Sequence, residues 1–561
     1  MNKPRQSAWW KESVIYQVYP KSFYDSNNDG IGDIRGIITK LPYLKTLGIT
    51  LIWVSPFYQS PMADNGYDIA DYYVVNPDFG DMEDVNALIR QAADMGIKVM
   101  IDLVVNHTSD EHRWFQAALA DPASSYRDYY IFKPAVNGAA PNNWRSIFGG
   151  SAWEKVPGEE MYYLHVFHKK QPDLNWENPA LREEIYAMIN WWLGKGIAGF
   201  RIDAITFIKK DQDFGSLPAD GIDGLVSIKS KARNRPGIEL FLNELKQKTF
   251  KKFNCVTVGE APGVPLDEYD RFIGPEGYFD MIFDFHAADI DVENGSEWFR
   301  QCDWSVKEFR ETLFASQRAF TEAGWGTTFI ENHDQPRALS KLVREVDYQN
   351  ESGATALAGM YFFMHGTPFI YQGQELGMKN FCRSDISEFD DISSLDNYYR
   401  SLAEGFSAQE AMGFVNRRSR DNSRTPFPWS EGINAGFNHG AKPWLALSSD
   451  DFSLNAKQQM ARQDSVFSFY KKMIALRNIA FPETLIYGEF LPLEEVADDI
   501  IAYERRSPTV RIISITNMSG KDQPFTLPDG EILLSNYDNI TSPLKPYQTI
   551  LIKGRLKNDQ I

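Results

Sequence analysis

Three stretches of this chain end an apolar or β-branched run in a carboxylate: Gly199-Phe200-Arg201-Ile202-Asp203, Val258-Gly259-Glu260 and Glu331-Asn332-His333-Asp334. A buried strand that delivers an acid to the rim of a sheet reads this way. Three such runs suggest a site of converging carboxylates, the usual equipment for breaking a glycosidic bond. A retaining mechanism needs two carboxyl groups roughly 5–5.5 Å apart, one nucleophilic and one protonated. Asp203 is the candidate nucleophile. Arg201 lies two residues earlier on the same strand, so both side chains point to one face, and a guanidinium there is expected to keep Asp203 ionised. Glu260 is the candidate acid and base, because a carboxylic acid near other acids in a dry pocket holds its proton to a higher pH. Asp334 is the third member, suited to binding sugar hydroxyls and favouring a cation-like transition state. Any one of these acids alone would read as a buried, ion-paired structural residue. His107, at the end of Asp102–His107, and His333 look like hydrogen-bond donors to a sugar. No third soft ligand is spaced with them, so they are not read as zinc ligands.

Delivering these groups to one place requires a sheet. Eight short strand-like runs occur in order: Val14–Tyr19, Leu51–Ser55, Lys98–Val105, Gly199–Ile205, Cys255–Glu260, Tyr278–Phe285, Thr327–Asn332 and Pro368–Gln372. Most are apolar throughout, as strands covered on both faces are. Helical patterns such as Met82–Met95 and Ala180–Leu193 lie between them. The count and alternation point to an α/β protein, a (β/α)8 TIM barrel, with the polar residues at the C-terminal strand ends where such barrels keep their sites. About ninety residues separate the third and fourth runs, too many for a simple loop, so a small inserted domain is expected at 104–172. The barrel would then comprise 1–103 and 173–483, with an irregular subdomain after the eighth strand at about 375–455. From 484 to 561, short alternating runs such as Ile500–Tyr503 and Val510–Ile515 read as a C-terminal antiparallel β-sandwich.

Asp25-Ser26-Asn27-Asn28-Asp29-Gly30-Ile31-Gly32-Asp33 places oxygen ligands at every second position with a glycine at the turn, the start of a calcium loop. Gly36 stands where a helix–loop–helix hand would have its bidentate glutamate. The expected ligands are therefore Asp25, Asn27, Asp29, the carbonyl of Ile31 and Asp33, holding a structural Ca2+, with Mg2+ the other hard cation this set could take. No organic cofactor is expected.

The 561 residues exceed what one core usually fills. A net charge of −18 argues against nucleic-acid and anionic-membrane partners. Three cysteines in no metal or disulfide spacing suit a reducing compartment. The start, Met1 to Trp10, lacks the apolar core of a secretory signal. A cytoplasmic monomer acting on a small oligosaccharide is expected.

With these motifs in hand, the chain resembles the α-amylase superfamily, glycoside hydrolase family 13, over nearly its whole length. The family's short regions appear as Asp102–His107, Gly199–Asp203, Val258–Glu260 and Asn332–Asp334, and a fifth as Gln171-Pro172-Asp173-Leu174-Asn175. Trp9-Trp10-Lys11, Tyr16–Pro20 and Asn332–Arg337 are similar to the oligo-1,6-glucosidase and α-glucosidase branch. The resemblance implies Asp203 as nucleophile, Glu260 as acid/base and Asp334 as stabiliser. It implies Asp64, Tyr67, His107, Arg201 and His333 around the terminal glucose and Phe148 and Phe167 as aromatic walls. Arg420 would close one side, and Arg337 and Ala204 would be further substrate contacts. Enzymes of this branch take one glucose from the non-reducing end of short α-glucosides and retain the anomeric configuration.

Two positions depart from the branch. Ala204 stands where a valine goes with α-1,6 preference, a difference worth about 1–3 kcal/mol of discrimination. Pro426-Phe427-Pro428-Trp429 loses a backbone donor at Pro428, which is expected to reshape the acceptor side. An α-1,6-glucosidase is the leading expectation. The alternatives are an α-1,4- or sucrose-active α-glucosidase, or a transglucosylase or sucrose isomerase. Segment 301–313 lacks the arginine-rich stretch of the isomerases. A phosphosugar hydrolase would need a basic cluster at the pocket, and Lys209, Lys210 and Lys229–Arg235 read as solvated surface. A transporter heavy chain of the same fold would have lost these acids.

Overall fold

A computed structural model describes residues 8–293, 299–540 and 542–555; the N-terminal run Met1–Ser7 lies outside them. All eight expected strands are present, seven of them trimmed and the eighth shifted one residue toward the N-terminus: β1 (Ile15–Val18), β2 (Leu51–Val54), β3 (Lys98–Val104), β4 (Gly199–Asp203), β5 (Val256–Glu260), β6 (Met281–Phe283), β7 (Thr327–Thr328) and β8 (Thr367–Tyr371). They pair in the order β6-β5-β4-β3-β2-β1-β8-β7, and every pairing is parallel. β7 is shorter than the expected 327–332, since the chain leaves the strand after Thr328 and carries Asn332–Asp334 out over the barrel mouth. A side-chain bond from Thr327 Oγ1 to Ile282 O at 3.1 Å links β6 and β7 where no ladder does.

Strand alternation decides what faces inward. Ile15, Leu51, Trp53, Met100, Val256, Val258, Met281, Phe283 and Phe369 fill the barrel interior. Tyr16, Ile52, Ile101, Phe200, Ile202, Ile282 and Ile370 turn outward to the helices. With Phe200 and Ile202 outside, Arg201 and Asp203 must point in. Gly199 opens β4 because a Cβ there would overlap the Val256 carbonyl of β5.

The helices start where the sequence says they should. α1 (Ile34–Leu47) is capped by Asp33, which accepts from Gly36 N at 2.6 Å, and ends at left-handed Gly48. α2 (Met82–Asp94) opens with an Asp81/Asp84 capping box. α3 (Pro179–Gly194) has Asn178 as cap and proline at its first position.

The inserted domain holds a three-stranded antiparallel sheet of Phe132–Pro134, Met161–Leu164 and Trp153–Lys155. Residues 104–172 do not complete it. Trp144–Arg145 pairs with Val226–Ser227 from the loop after β4, and Phe207, Val226, Ile228 and Ala232 share its core with Trp144 and Trp153. After β8, helices Ile392–Ala403 and Ala408–Arg418 bring the segment Ser419–Thr425 back across the barrel. At the C-terminus β9 (Glu489–Pro492), β10 (Ile500–Arg506), β11 (Arg511–Asn517), β12 (Gly530–Ser535) and β13 (Thr549–Gly554) form one antiparallel sheet in the order β9-β10-β11-β13-β12. The second layer of the expected sandwich is irregular chain: Leu544, Phe525, Leu527 and Ile540 cover the sheet face made by Ile500, Ile513, Ile515 and Ile552.

Candidate active site

At the C-terminal mouth of the barrel lies a cavity of about 260 Å³. Of the residues expected to form a site, Asp64, Tyr67, His107, Phe148, Phe167, Asp203, Ala204, Glu260, Asp334 and Arg420 all line it, with Ile147, Phe207, Pro262, Ser393 and Arg418. These come from strand ends, the inserted domain and the segment after β8, which only the closed fold brings together.

Arg201 organises the floor. Its guanidinium is fully buried and donates to Asp102 Oδ1 at 2.7 Å and Asp203 Oδ1 at 2.6 Å, and it pairs with Glu260 Oε2 at 2.8 Å. The Ala204 amide also donates to Glu260 Oε2 at 2.8 Å. Ala204 reaches that amide orientation through a left-handed backbone (φ 43°, ψ 34°). Two carboxylates sharing one guanidinium suit the close spacing of a retaining pair (roughly 5–5.5 Å) better than the wider inverting one. Burial pushes the Asp203 carboxyl well above the usual range; Arg201 pulls it down, and Glu260, Asp102 and Asp334 add to the rise. Arg201 therefore limits the rise without reversing it. Burial likewise lifts Asp102 to about 6 against the opposing pull of Arg201.

Asp334 is held differently. Burial works against its charge, yet the carboxyl lies well below the usual range. Arg424 Nη2 sits at 2.9 Å and Arg420 Nη1 at 3.3 Å from Oδ1, and His333 Nε2 at 3.1 Å from Oδ2. Burial drives His333 far below the ordinary histidine range, so its ring is neutral. His333, then Arg420, Arg424 and Arg201, oppose the burial of Asp334; with the ring neutral, the full positive charges beside it are those of the arginines. Gln17 Nε2 lies 2.8 Å from His333 Nδ1. With that amide donating, the ring proton is on Nε2, facing Asp334 and the Tyr67 hydroxyl at 2.5 Å. Tyr67 stacks on His333 with rings 9° apart.

One wall of the cavity is tied together by Arg420. Arg420 Nη2 donates to Asp64 Oδ1 at 2.8 Å, and Nε to Asp391 Oδ1 at 2.8 Å. The Arg420 guanidinium lies over the Phe148 ring at 5.1 Å, and Phe148 packs on Phe167. Gln171 Nε2 ties Asp64 Oδ2 to His107 Nε2, each at 3.1 Å.

Arg337 goes elsewhere. It is buried away from the cavity, donating to Glu331 Oε1 at 3.1 Å and the Gln372 carbonyl at 2.7 Å, with Tyr371 beneath it. Its charge is used to tie the chain after β7 to β8. Lys210, read as surface, is buried and paired with Asp173 at 2.7 Å, because the loop after β4 folds under the inserted domain. The Pro426–Trp429 segment also lies outside the site. Phe427 and Trp429 pack on Phe23 and Tyr43. Sequence reasoning missed Arg424, Asp391, Arg418 and Phe207. The run of arginines at 417, 418, 420 and 424 was the available signal.

The nine-residue loop closes on itself. Asp25 is buried and accepts from the amides of Asn28 and Gly30 and from Asn438 Nδ2. Asp29 accepts from Ile31 N at 2.8 Å. Asp33 is engaged by Ser26 and by the cap of α1. Its donors are all carboxylate, amide and carbonyl oxygens, the set a hard divalent cation takes. Among the described residues, no group of three or more His, Cys, Asp or Glu is placed as a metal cluster.

A parallel barrel with three acids converging on a cavity at its mouth and two buried arginines beside them defines a glycoside hydrolase. Residues 17–488 match the model of the alpha-amylase catalytic domain. The chain is 41% identical to the oligo-1,6-glucosidase of Bacillus cereus, over 98% of this chain and 100% of that protein. Among solved structures, it is similar to the isomaltulose synthase of Klebsiella sp. LX3 (39% identity, 98% and 100% of the two chains, TM-score 0.92). It is also similar to the trehalose-6-phosphate hydrolase of Bacillus licheniformis (40% identity, 97% and 99%, TM-score 0.88). The chain belongs to the alpha-amylase family of glycoside hydrolases.

Proposed function

We propose that the protein is a retaining, exo-acting α-glucosidase that releases glucose from the non-reducing end of short α-1,6-linked glucosides such as isomaltose. The observation that carries this reading is the Arg420 bridge: Arg420 pairs with Asp64 and Asp391 and lines the cavity with the acids, which we read as closing the pocket behind them. A chain end enters it and a chain interior does not. The identity to an oligo-1,6-glucosidase over nearly all of both chains supports the linkage.

In this reading Asp203 attacks the anomeric carbon while Glu260 gives its proton to the departing sugar oxygen. The glycosidic bond breaks and a glucosyl–Asp203 ester forms. Glu260, now a carboxylate, takes a proton from water, whose oxygen displaces Asp203 and frees glucose with its configuration retained. Asp334, kept anionic by Arg420 and Arg424, stabilises the cation-like transition state with Tyr67 and neutral His333 beside it. Arg201 holds nucleophile and acid/base in register.

Asp25, Asn27, Asp29, the Ile31 carbonyl and Asp33 would hold a calcium ion that stiffens the turn before α1, remote from the chemistry. A cytoplasmic monomer fits three unpaired cysteines and the acidic surface. Among the described residues, no helix is long and apolar enough to cross a membrane.

The test is glucose release from isomaltose, isomaltulose, maltose and sucrose assayed separately. Fast release from the first two and little from maltose is expected. A preference for maltose or sucrose would overturn the linkage and make Ala204 its reporter.

A further inference from the structure

A phosphate-binding mouth needs free cations, and most basic residues of the loop after β4 have a carboxylate partner. Lys209 meets Glu177, Lys210 meets Asp173, Lys231 meets Asp213 and Arg235 meets Asp211. Arg233 is different. Its half-buried guanidinium has no hydrogen bond or ion pair within contact distance among the described residues; burial disfavours its charge, and Asp289, beyond contact distance, is the carboxylate that favours it.

Its position is fixed by backbone. Asn234 N donates to Thr206 O at 2.8 Å, and Thr206 Oγ1 donates to Pro262 O at 3.1 Å. Arg233 is thereby locked between the ends of β4 and β5. It lies along the chain just after Glu260, where a Cβ on Gly263 would overlap its Nε. Glycine at 263 is what makes room for it. Pro262 and Arg418 line the cavity. Arg418 is neutralised by Asp289 at 3.1 Å and Asp291 at 2.7 Å. His286, half-exposed, is bonded through Nδ1 to Asp284. Arg233 itself is not among the residues lining the cavity; its Nε lies against Gly263, the neighbour of the lining residue Pro262, on the chain that follows Glu260, and Asp289 is the carboxylate that acts on it.

We propose that Arg233 is the specificity-determining residue of the acceptor side, donating from its guanidinium to hydroxyls of the departing sugar. This rests on the glucosidase reading above and names what that reading leaves open, the group that holds the leaving half. A fork of N–H donors matches two neighbouring sugar hydroxyls. A single unpaired cation does not make the cluster a phosphate would require.

The experiment compares kcat/KM for isomaltose with that for 4-nitrophenyl α-glucoside, whose leaving group carries no sugar hydroxyls, in wild type, R233M, R233K and G263A. The ratio of isomaltose to nitrophenyl glucoside is expected to fall about ten- to a hundred-fold in R233M. R233K should recover part of it. G263A should lower the ratio as well, because the added methyl displaces the guanidinium. An unchanged ratio in R233M overturns the proposal, as does an equal fall on both substrates. A wild type that prefers trehalose 6-phosphate to isomaltose, by a margin R233M abolishes, overturns the neutral-sugar assignment in favour of an anion site. If maltose proves the better disaccharide, the ratio is taken with maltose. The linkage reading then fails, and Arg233 is still decided by the ratio.

Discussion

Replacing Arg201 by methionine removes the one cation shared by Asp102, Asp203 and Glu260. The charge centres of such a hydrogen-bonded pair lie about 4 Å apart, and at an effective dielectric near 20 each contact is worth about 4 kcal/mol. Loss of the Asp203 contact alone then corresponds to about three decades in kcat/KM at neutral pH. The sign with pH follows from direction. Burial already raises Asp203, and Arg201 is the largest force pulling it down. Without Arg201 the carboxyl keeps its proton to still higher pH, so the nucleophile is lost first in acid and regained as pH rises. The assay is kcat/KM on 4-nitrophenyl α-glucoside from pH 5 to 9, with circular dichroism and melting temperature as controls for folding. The acid limb should move to higher pH and the loss should shrink toward pH 9. Arg201→Lys keeps a charge but cannot fork across three carboxylates, so an intermediate loss is expected. A loss that is the same at every pH, or smaller than tenfold, would refute the electrostatic account and leave Arg201 a spacer.

Arg337→Met should act on stability. It strands Glu331, which is buried and paired with that cation, at a cost of about 3–5 kcal/mol. A clear drop in melting temperature with little change in KM is expected, and a raised KM without a melting shift would return Arg337 to the substrate. Chelator should lower the melting temperature and millimolar calcium restore it, while Asp29→Ala should be insensitive to both. Equal melting in chelator and calcium would remove the metal from the loop.

Much of the fold was legible because strand identity and facing are local properties. Uninterrupted apolar runs gave the eight strands, and period-two alternation put Arg201 and Asp203 on one face. The misses share a cause. Arg337, Lys210 and Arg233 all read as charged residues with nothing in their neighbourhood to tell one fate from another. One became a buried tie, one a pair under the inserted domain, and one an uncommitted donor. Arg420 entered only through the resemblance, while Asp391, which holds it, and Arg424, which helps keep Asp334 charged, were not picked out at all.

What the sequence alone determined is therefore the chemistry: which acids exist, after which strands, and in what order along a (β/α)8 scaffold. What only the tertiary structure decided is which charges are satisfied. Arg420 meets Asp64 across 356 positions of chain and Arg201 meets Asp102 across 99. The fate of a charge depends on desolvation and on the nearest opposite charge. Both are set by packing between distant segments, and a local pattern carries no record of them.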